Sequence, residues 1–160
     1  MTTPLSKILS NWLSSGFGSG YAHVAPGTFG SAAALLFWFL LHAIGMPATL
    51  SAHATLCAMT FFVGTAAVAH SIRSTTEEDP GWIVIDEWAG LFIALIALSP
   101  NHLGWVAIGF CVFRALDALK WGPVAWAETL PGAWGIMADD VVAGVLTALL
   151  VVISRSIVGA

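Results

Sequence analysis

Residues 81–98 have the sequence GWIVIDEWAGLFIALIAL, an apolar run with two adjacent acids, Asp86 and Glu87, close to its start. The length and hydrophobicity of the run predict a membrane-embedded helix. An acidic side chain at the centre of a membrane helix costs about 2.5–3.5 kcal/mol on insertion scales. Two neighbouring carboxylates therefore indicate either a functional site or a solvated helix start that gains from the helix dipole.

The composition of the whole chain supports the membrane class. Its 160 residues fit a single domain, 58% of them are hydrophobic, and only 9% are charged. The mean hydropathy is +0.89, which is typical of an integral membrane protein. The net charge is −4 and no basic run is present, so we expect no nucleic-acid partner. The two cysteines lie in apolar stretches and predict neither a disulfide framework nor a zinc site.

Apolar windows along the chain predict an all-α helical bundle with about five membrane-embedded helices. We place these helices at residues 31–46, 49–72, 87–98, 105–119 and 136–158. A span needs about 20 apolar residues, so the third and fourth are short. The segment 1–15 lacks the apolar core of a signal peptide and could form an amphipathic helix on the membrane surface.

Five spans would place the polar stretches 16–30, 73–87 and 114–140 on the same side of the membrane. These stretches hold nearly all the charged residues, which predicts one polar site at that face. Apart from Arg155, the basic residues also lie on this side, and the opposite loops have none. By the positive-inside rule, we expect the site to face the cytoplasm.

The first polar stretch is rich in glycine and precedes an apolar helix. Its sequence over residues 16–31 is GFGSGYAHVAPGTFGS, which predicts a loop whose backbone N–H groups could converge on a phosphate. No Gly-Lys-Ser/Thr ending follows, so it is not a nucleotide-binding P-loop. A simple turn and helix cap is the alternative. The candidate phosphate ligands at its end are Gly27, Thr28, Gly30 and Ser31.

The acid pair at 86–87 has a geometric constraint if both residues are helical. Adjacent helical side chains point about 100° apart, so we expect only one of Asp86 and Glu87 to face a bound ion. The other would bind a neighbouring group or cap the helix. Gly90, one turn after Asp86, has no side chain and would allow a helix or a ligand to approach closely.

The third polar stretch carries bases as well as acids. Arg114, Asp117 and Lys120 have i, i+3, i+6 spacing and share one helical face, which suits a phosphate site or a salt-bridged stripe. Asp139 and Asp140 lie a little inside an apolar helix, where surface acids are not expected. Oxygen ligands without clustered Cys or His favour a hard cation, Mg²⁺ first. At a membrane face the substrate would be a phospholipid or isoprenoid phosphate; an ion-coupled transporter is the alternative.

The ordered motifs GFGSG, PGTFGS, DPG, DEWAG, FRALDALK and GIMADDVVAG, found between residues 16 and 144, resemble the phosphatidylglycerophosphatase A family. The resemblance implies an enzyme of the bacterial inner membrane that hydrolyses phosphatidylglycerophosphate to phosphatidylglycerol and phosphate with Mg²⁺. Carried over to this chain, the functional acids are Asp79, Asp86, Glu87, Asp117, Asp139 and Asp140.

We expect different roles for the residues of this set. Arg114, Lys120 and the glycine-rich segment would bind the phosphate, and Asp79 would support the site. A subset of Asp86, Glu87, Asp139 and Asp140 would hold the metal, with Asp117 as a further candidate. Either water or an aspartate could be the nucleophile.

Overall fold

The computed structural model describes residues 4–75, 77 and 80–159, and its regular structure is entirely helical there. Short 3₁₀ turns lie at Ser19–Tyr21 and Ile72–Ser74. The seven α-helices of the described residues are α1 (Pro4–Ser14), α2 (Pro26–Ala43), α3 (Leu50–Ser71), α4 (Ile85–Ala94), α5 (Leu103–Leu119), α6 (Pro123–Glu128) and α7 (Ala133–Val158). The predicted all-α class is confirmed for this part of the chain.

Three helices, α2, α3 and α7, are long and apolar enough to cross a membrane by length and composition. In contrast, α4 has only 10 residues and a length of about 15 Å, half the thickness of a bilayer core. It ends at Ala94, four residues before the predicted end. Over residues 93–98, backbone N–H groups bond to the carbonyl three residues earlier, as in a 3₁₀ turn, so the α-helix does not continue. The predicted number of five spans is therefore not confirmed.

The short helix α4 lies at the centre of the bundle and packs against α2, α3, α5 and α7. Its side chains Trp88, Leu91 and Phe92 are almost fully buried, as expected for a helix whose apolar residues face neighbours on several sides. The closest approach is to α7: a Cβ atom on Gly90 would lie 2.5 Å from the carbonyl oxygen of Asp140. Gly90 thus allows two backbones to touch, as its missing side chain suggested.

The glycine-rich segment divides into a loop and a helix. Residues 26–31, predicted as loop, form the first turns of α2, which begins at Pro26. Proline favours the first helical position because its φ angle is already helical. Gly30 faces a neighbouring element, since a Cβ atom there would lie 2.6 Å from the Cβ of Val84. The glycine therefore serves close packing, and the loop itself ends at Ala25.

Helix α1 forms within the segment predicted to lie on the membrane surface. Its C-terminal end is fixed to the bundle, because Ser14 is hydrogen-bonded to the Ser71 hydroxyl over 3.2 Å and accepts from the Val84 N–H over 2.9 Å. Leu5, Ile8, Leu9 and Trp12 are exposed on the helix. An amphipathic helix of this kind fits an interfacial position, which stays a prediction.

Candidate active site

The polar stretches meet in one cavity of about 280 Å³ at one end of the bundle. The first turns of α2 and α4, the C-terminal end of α5 and the second turn of α7 form its walls. Asp79 lies outside the described residues. The polar and small residues that line the cavity are Pro26, Gly27, Gly81, Asp86, Glu87, Arg114, Asp117, Ala118, Lys120, Asp139 and Asp140.

Five carboxylates in this cavity form two overlapping groups. Asp86, Glu87 and Asp140 each place one oxygen within 4.8 Å of the others. Asp117 and Asp139 form an equally close group with the same Asp140. The structure thus brings together all the predicted acids that it describes, with Asp140 in both groups.

The two adjacent acids of α4 both place an oxygen in the group with Asp140. The sequence had predicted that only one of them would face a bound ion. The helix begins at Ile85, so Asp86 and Glu87 lie in its first turn. Helical side chains tilt toward the N-terminus of their helix. Because both side chains extend toward the start of α4, their oxygens can approach each other and Asp140 despite a 100° separation around the helix.

Several of these carboxylate oxygens are buried without a hydrogen-bond partner. Asp140 is only 2% exposed, and its Oδ1, Asp86 Oδ1 and Glu87 Oε2 are unpaired in the described part of the chain. Burial raises the pKa of Glu87 to about 7. Burial and then the charge of Glu87 raise the pKa of Asp86. Unpaired buried carboxylates are costly, so this arrangement favours a bound cation.

Arg114 connects the carboxylates to the start of α2. Its Nη1 forms an ion pair with Asp117, donates to Ser31 Oγ over 3.3 Å and lies 3.8 Å from Glu87 Oε1. Ser31 Oγ in turn donates to the Gly27 carbonyl over 2.9 Å. A Cβ atom on Gly27 would overlap Glu87 Oε1 and lie 3.1 Å from Arg114 Nη2, so only glycine admits both side chains. Ser31 therefore positions the guanidinium group.

Of the four candidate phosphate ligands of α2, only Gly27 is in the cavity wall. Ser31 is buried and contacts Arg114, Thr28 is exposed, and Gly30 packs against Val84. Phosphate binding by any of the four α2 residues stays a prediction.

Lys120 lies one residue beyond α5, in the left-handed conformation with φ 43° and ψ 53°. Its Nζ donates to Asp139 Oδ2 over 3.0 Å and to Glu128 Oε1 over 2.7 Å. Burial lowers the pKa of Lys120, but the bonds and charges of Glu128 and Asp139 outweigh this and raise it. Lys120 therefore stays charged.

In the sequence, Glu128 was only one of the charged residues of the third polar stretch, and no contact was predicted for it. The signal for its contact with Lys120 is the pair Gly122–Pro123, which predicts a turn followed by a new helix. Helix α6 begins at Pro123 and ends at Glu128. Because the turn at Gly122 reverses the chain, the Glu128 carboxylate contacts Lys120.

The family model of phosphatidylglycerophosphatase A matches residues 12–155, which include every described residue of the cavity. The chain belongs to the phosphatidylglycerophosphatase A family. The predicted resemblance is confirmed, and so is the prediction that the chain is an enzyme of the phosphatase class. This membership favours a phosphatase over the ion-coupled transporter.

Three relatives align with this chain over most of its length and most of their own. Phosphatidylglycerophosphatase A of Escherichia coli (strain K12) is 39% identical over 145 residues, 89% of this chain and 82% of the relative. The Haemophilus influenzae protein of the same name is 37% identical over 154 residues, 92% of each chain. A putative phosphatidylinositol-3-phosphatase of Bacteroides thetaiotaomicron is 35% identical over 150 residues, 92% of this chain and 94% of the relative. No solved structure matches the chain.

Proposed function

We propose that the protein hydrolyses the phosphomonoester of phosphatidylglycerophosphate, giving phosphatidylglycerol and inorganic phosphate, and that it requires Mg²⁺. The observation that carries the metal requirement is the group Asp86, Glu87 and Asp140, whose oxygens converge while one buried oxygen of each has no partner. The names of the Escherichia coli and Haemophilus influenzae relatives support the substrate.

The charge balance of the cavity supports a cation. Five acids of the two carboxylate groups face two bases, Arg114 and Lys120, so the fully ionised set has a net charge of 2 − 5 = −3. A dianionic phosphate would add to this repulsion. Oxygen-only ligands favour Mg²⁺ over softer metals.

The residues that would hold Mg²⁺ are Asp86, Glu87, Asp139 and Asp140, with Asp117 beside them. Bound there, Mg²⁺ would supply the positive charge that offsets the phosphoryl oxygens during hydrolysis. The carboxylates could also accept the proton of an attacking water, or one of them could attack phosphorus itself. Trapping a phosphorylated protein by acid quench would distinguish these two routes.

The two bases would hold the substrate phosphate from the rim of the cavity. Both side chains are partly exposed, at 19% for Arg114 and 33% for Lys120. The planar guanidinium of Arg114 can donate two parallel hydrogen bonds to phosphate oxygens. Its bond to Ser31 and its ion pair with Asp117 fix the plane of the group before substrate arrives.

A second candidate substrate is a different lipid phosphate. The name of the Bacteroides thetaiotaomicron relative suggests phosphatidylinositol 3-phosphate, and the cavity chemistry also admits an isoprenoid phosphate. For all three substrates we propose the bacterial inner membrane as the location, with the cavity facing the cytoplasm.

Phosphate release from detergent micelles tests the proposal. The purified protein is given phosphatidylglycerophosphate, phosphatidylinositol 3-phosphate or a polyisoprenyl phosphate, each with Mg²⁺ or with a chelator. We expect phosphatidylglycerophosphate to react fastest and only with the metal. Faster release from either other lipid would reassign the substrate, and no release with any divalent ion would refute the proposal.

A further inference from the structure

Two histidines face each other at the end of the bundle opposite the carboxylates. His42 is in the last turn of α2 and His53 in the first turn of α3, with Nε2 atoms 3.3 Å apart and ring centres 5.2 Å apart. At a helical rise of about 1.5 Å per residue, His42 lies roughly 24 Å along α2 from Pro26. The pair is thus separate from the carboxylate cavity.

The hydrogen bond made by Nδ1 of each ring determines which ring nitrogen carries the hydrogen. His42 Nδ1 lies 2.9 Å from the carbonyl oxygen of Met46, and His53 Nδ1 lies 2.9 Å from that of Thr49. A carbonyl oxygen only accepts, so both Nδ1 atoms must donate. In a neutral imidazole the other nitrogen then has a lone pair. The two Nε2 atoms therefore present lone pairs to each other, and neither can donate.

This arrangement is unfavourable without a cation between the rings. His53 is only 2% exposed, so bulk water does not solvate its Nε2. Trp38 packs against both imidazoles, with ring centres 4.5 Å from His42 and 5.8 Å from His53, and holds them in place. Two acceptors that cannot turn away from each other, one of them buried, need a shared positive partner.

The distances match a metal ion. Two imidazole nitrogens bound to tetrahedral zinc, each about 2.05 Å from it, would be about 3.3 Å apart, with ring centres about 5.2 Å apart. The observed separations between His42 and His53 are 3.3 Å and 5.2 Å. A hydrogen bond donated by nitrogen is shorter, typically about 2.9–3.0 Å, so a proton shared between the rings fits less well.

We propose that His42 and His53 bind a divalent ion of the late first transition row, such as Zn²⁺, independently of the phosphatase reaction. Imidazole suits these ions and not Mg²⁺. A cavity of about 560 Å³ beside His42, also lined by Met46 and Ser99, would admit the water that completes the coordination. The ion would join the ends of α2 and α3, both of which pack on α4.

Cobalt is the probe, because four-coordinate Co²⁺ absorbs visible light far more strongly than six-coordinate Co²⁺. Metal-free protein in detergent is titrated with Co²⁺, and we expect one equivalent to give this absorption. His42→Gln and His53→Gln should each remove it or weaken binding at least tenfold. His23→Gln, at an exposed loop histidine, is the matched control, and Asp140→Asn should leave the absorption unchanged because it affects only the carboxylate cavity.

Thermal unfolding provides a second measurement that does not depend on the visible absorption of bound Co²⁺. Zn²⁺ should raise the melting temperature of the wild type and of His23→Gln but not that of His42→Gln, which is partly exposed and should fold. Equal Co²⁺ absorption in wild type and both histidine variants would overturn the proposal. So would a pair that responds to pH and not to metal, because the rings would then share a proton.

Discussion

The contact between α4 and α7 is expected to control the geometry of the carboxylate site, and Gly90→Ala tests this. A Cβ atom at residue 90 would lie 2.5 Å from the Asp140 carbonyl oxygen and 2.6 Å from Phe113 Cε2. Ordinary carbon–oxygen contacts are about 3.3–3.6 Å. The substitution must therefore move the two backbones apart by about 1 Å.

The size of the effect follows from this displacement. Inserting a methyl group into a packed interior costs about 1–3 kcal/mol, while alanine recovers about 1 kcal/mol through its helix propensity. The net loss of stability is about 0–2 kcal/mol. Asp86 lies one turn before Gly90, and Asp140 is the residue displaced. Since a misplacement of about 1 Å can cost about 100-fold in rate, we expect kcat to fall about 100-fold.

Phosphate release from phosphatidylglycerophosphate micelles and thermal unfolding in the same detergent measure the two effects separately. The matched control is Gly104→Ala in α5, where a Cβ atom would meet nothing within 4 Å. We expect the control to keep the wild-type rate and melting temperature. If Gly90→Ala keeps the wild-type rate as well, the close backbone contact does not position the carboxylates and the reasoning fails.

Three other predictions concern charge, phosphate contact and sidedness. Asp140→Asn should lower kcat by orders of magnitude without lowering the melting temperature, because a buried amide is cheaper than a buried carboxylate; a normal rate would exclude the metal role. Arg114→Lys should greatly reduce kcat/KM at an unchanged half-saturating Mg²⁺ concentration, since lysine lacks the planar fork; wild-type kinetics would leave the phosphate to Lys120. Cysteines at Ala125 and Asn101 should react with an impermeant thiol reagent from opposite faces of the membrane, and labelling from one face would contradict the predicted topology.

The sequence predicted which residues meet but not all of their contacts. The i, i+3, i+6 spacing placed Arg114, Asp117 and Lys120 together, and all three line the cavity. Of these three residues, only Arg114 and Asp117 form an ion pair with each other, as the spacing predicted. The helix ends before Lys120, and its left-handed backbone directs the side chain to Asp139. A helical spacing rule cannot anticipate a residue that is no longer helical.

The errors at the start of α2 and at the acid pair also have a common cause, which is the absence of tertiary information. Glycines at 27 and 30 are compatible with a loop or with a helix face that another element approaches, and only the positions of Glu87 and Val84 decide between them. Similarly, helical geometry sets the angle between Asp86 and Glu87, but whether their oxygens converge depends on Asp140, which α7 supplies.

The depth of the site explains how a small helical bundle could act on a lipid. Asp139 and Asp140 lie six and seven residues after the start of α7 at Ala133, or roughly 10 Å below its end. Above them, the segment around α6 exposes Trp121, at 80%, and Trp126. Tryptophan favours the interface between hydrocarbon and head groups. The carboxylates would then lie just beneath that interface, where a phospholipid phosphate can reach them without leaving the bilayer, and where the lower dielectric strengthens every charge interaction that the cavity makes.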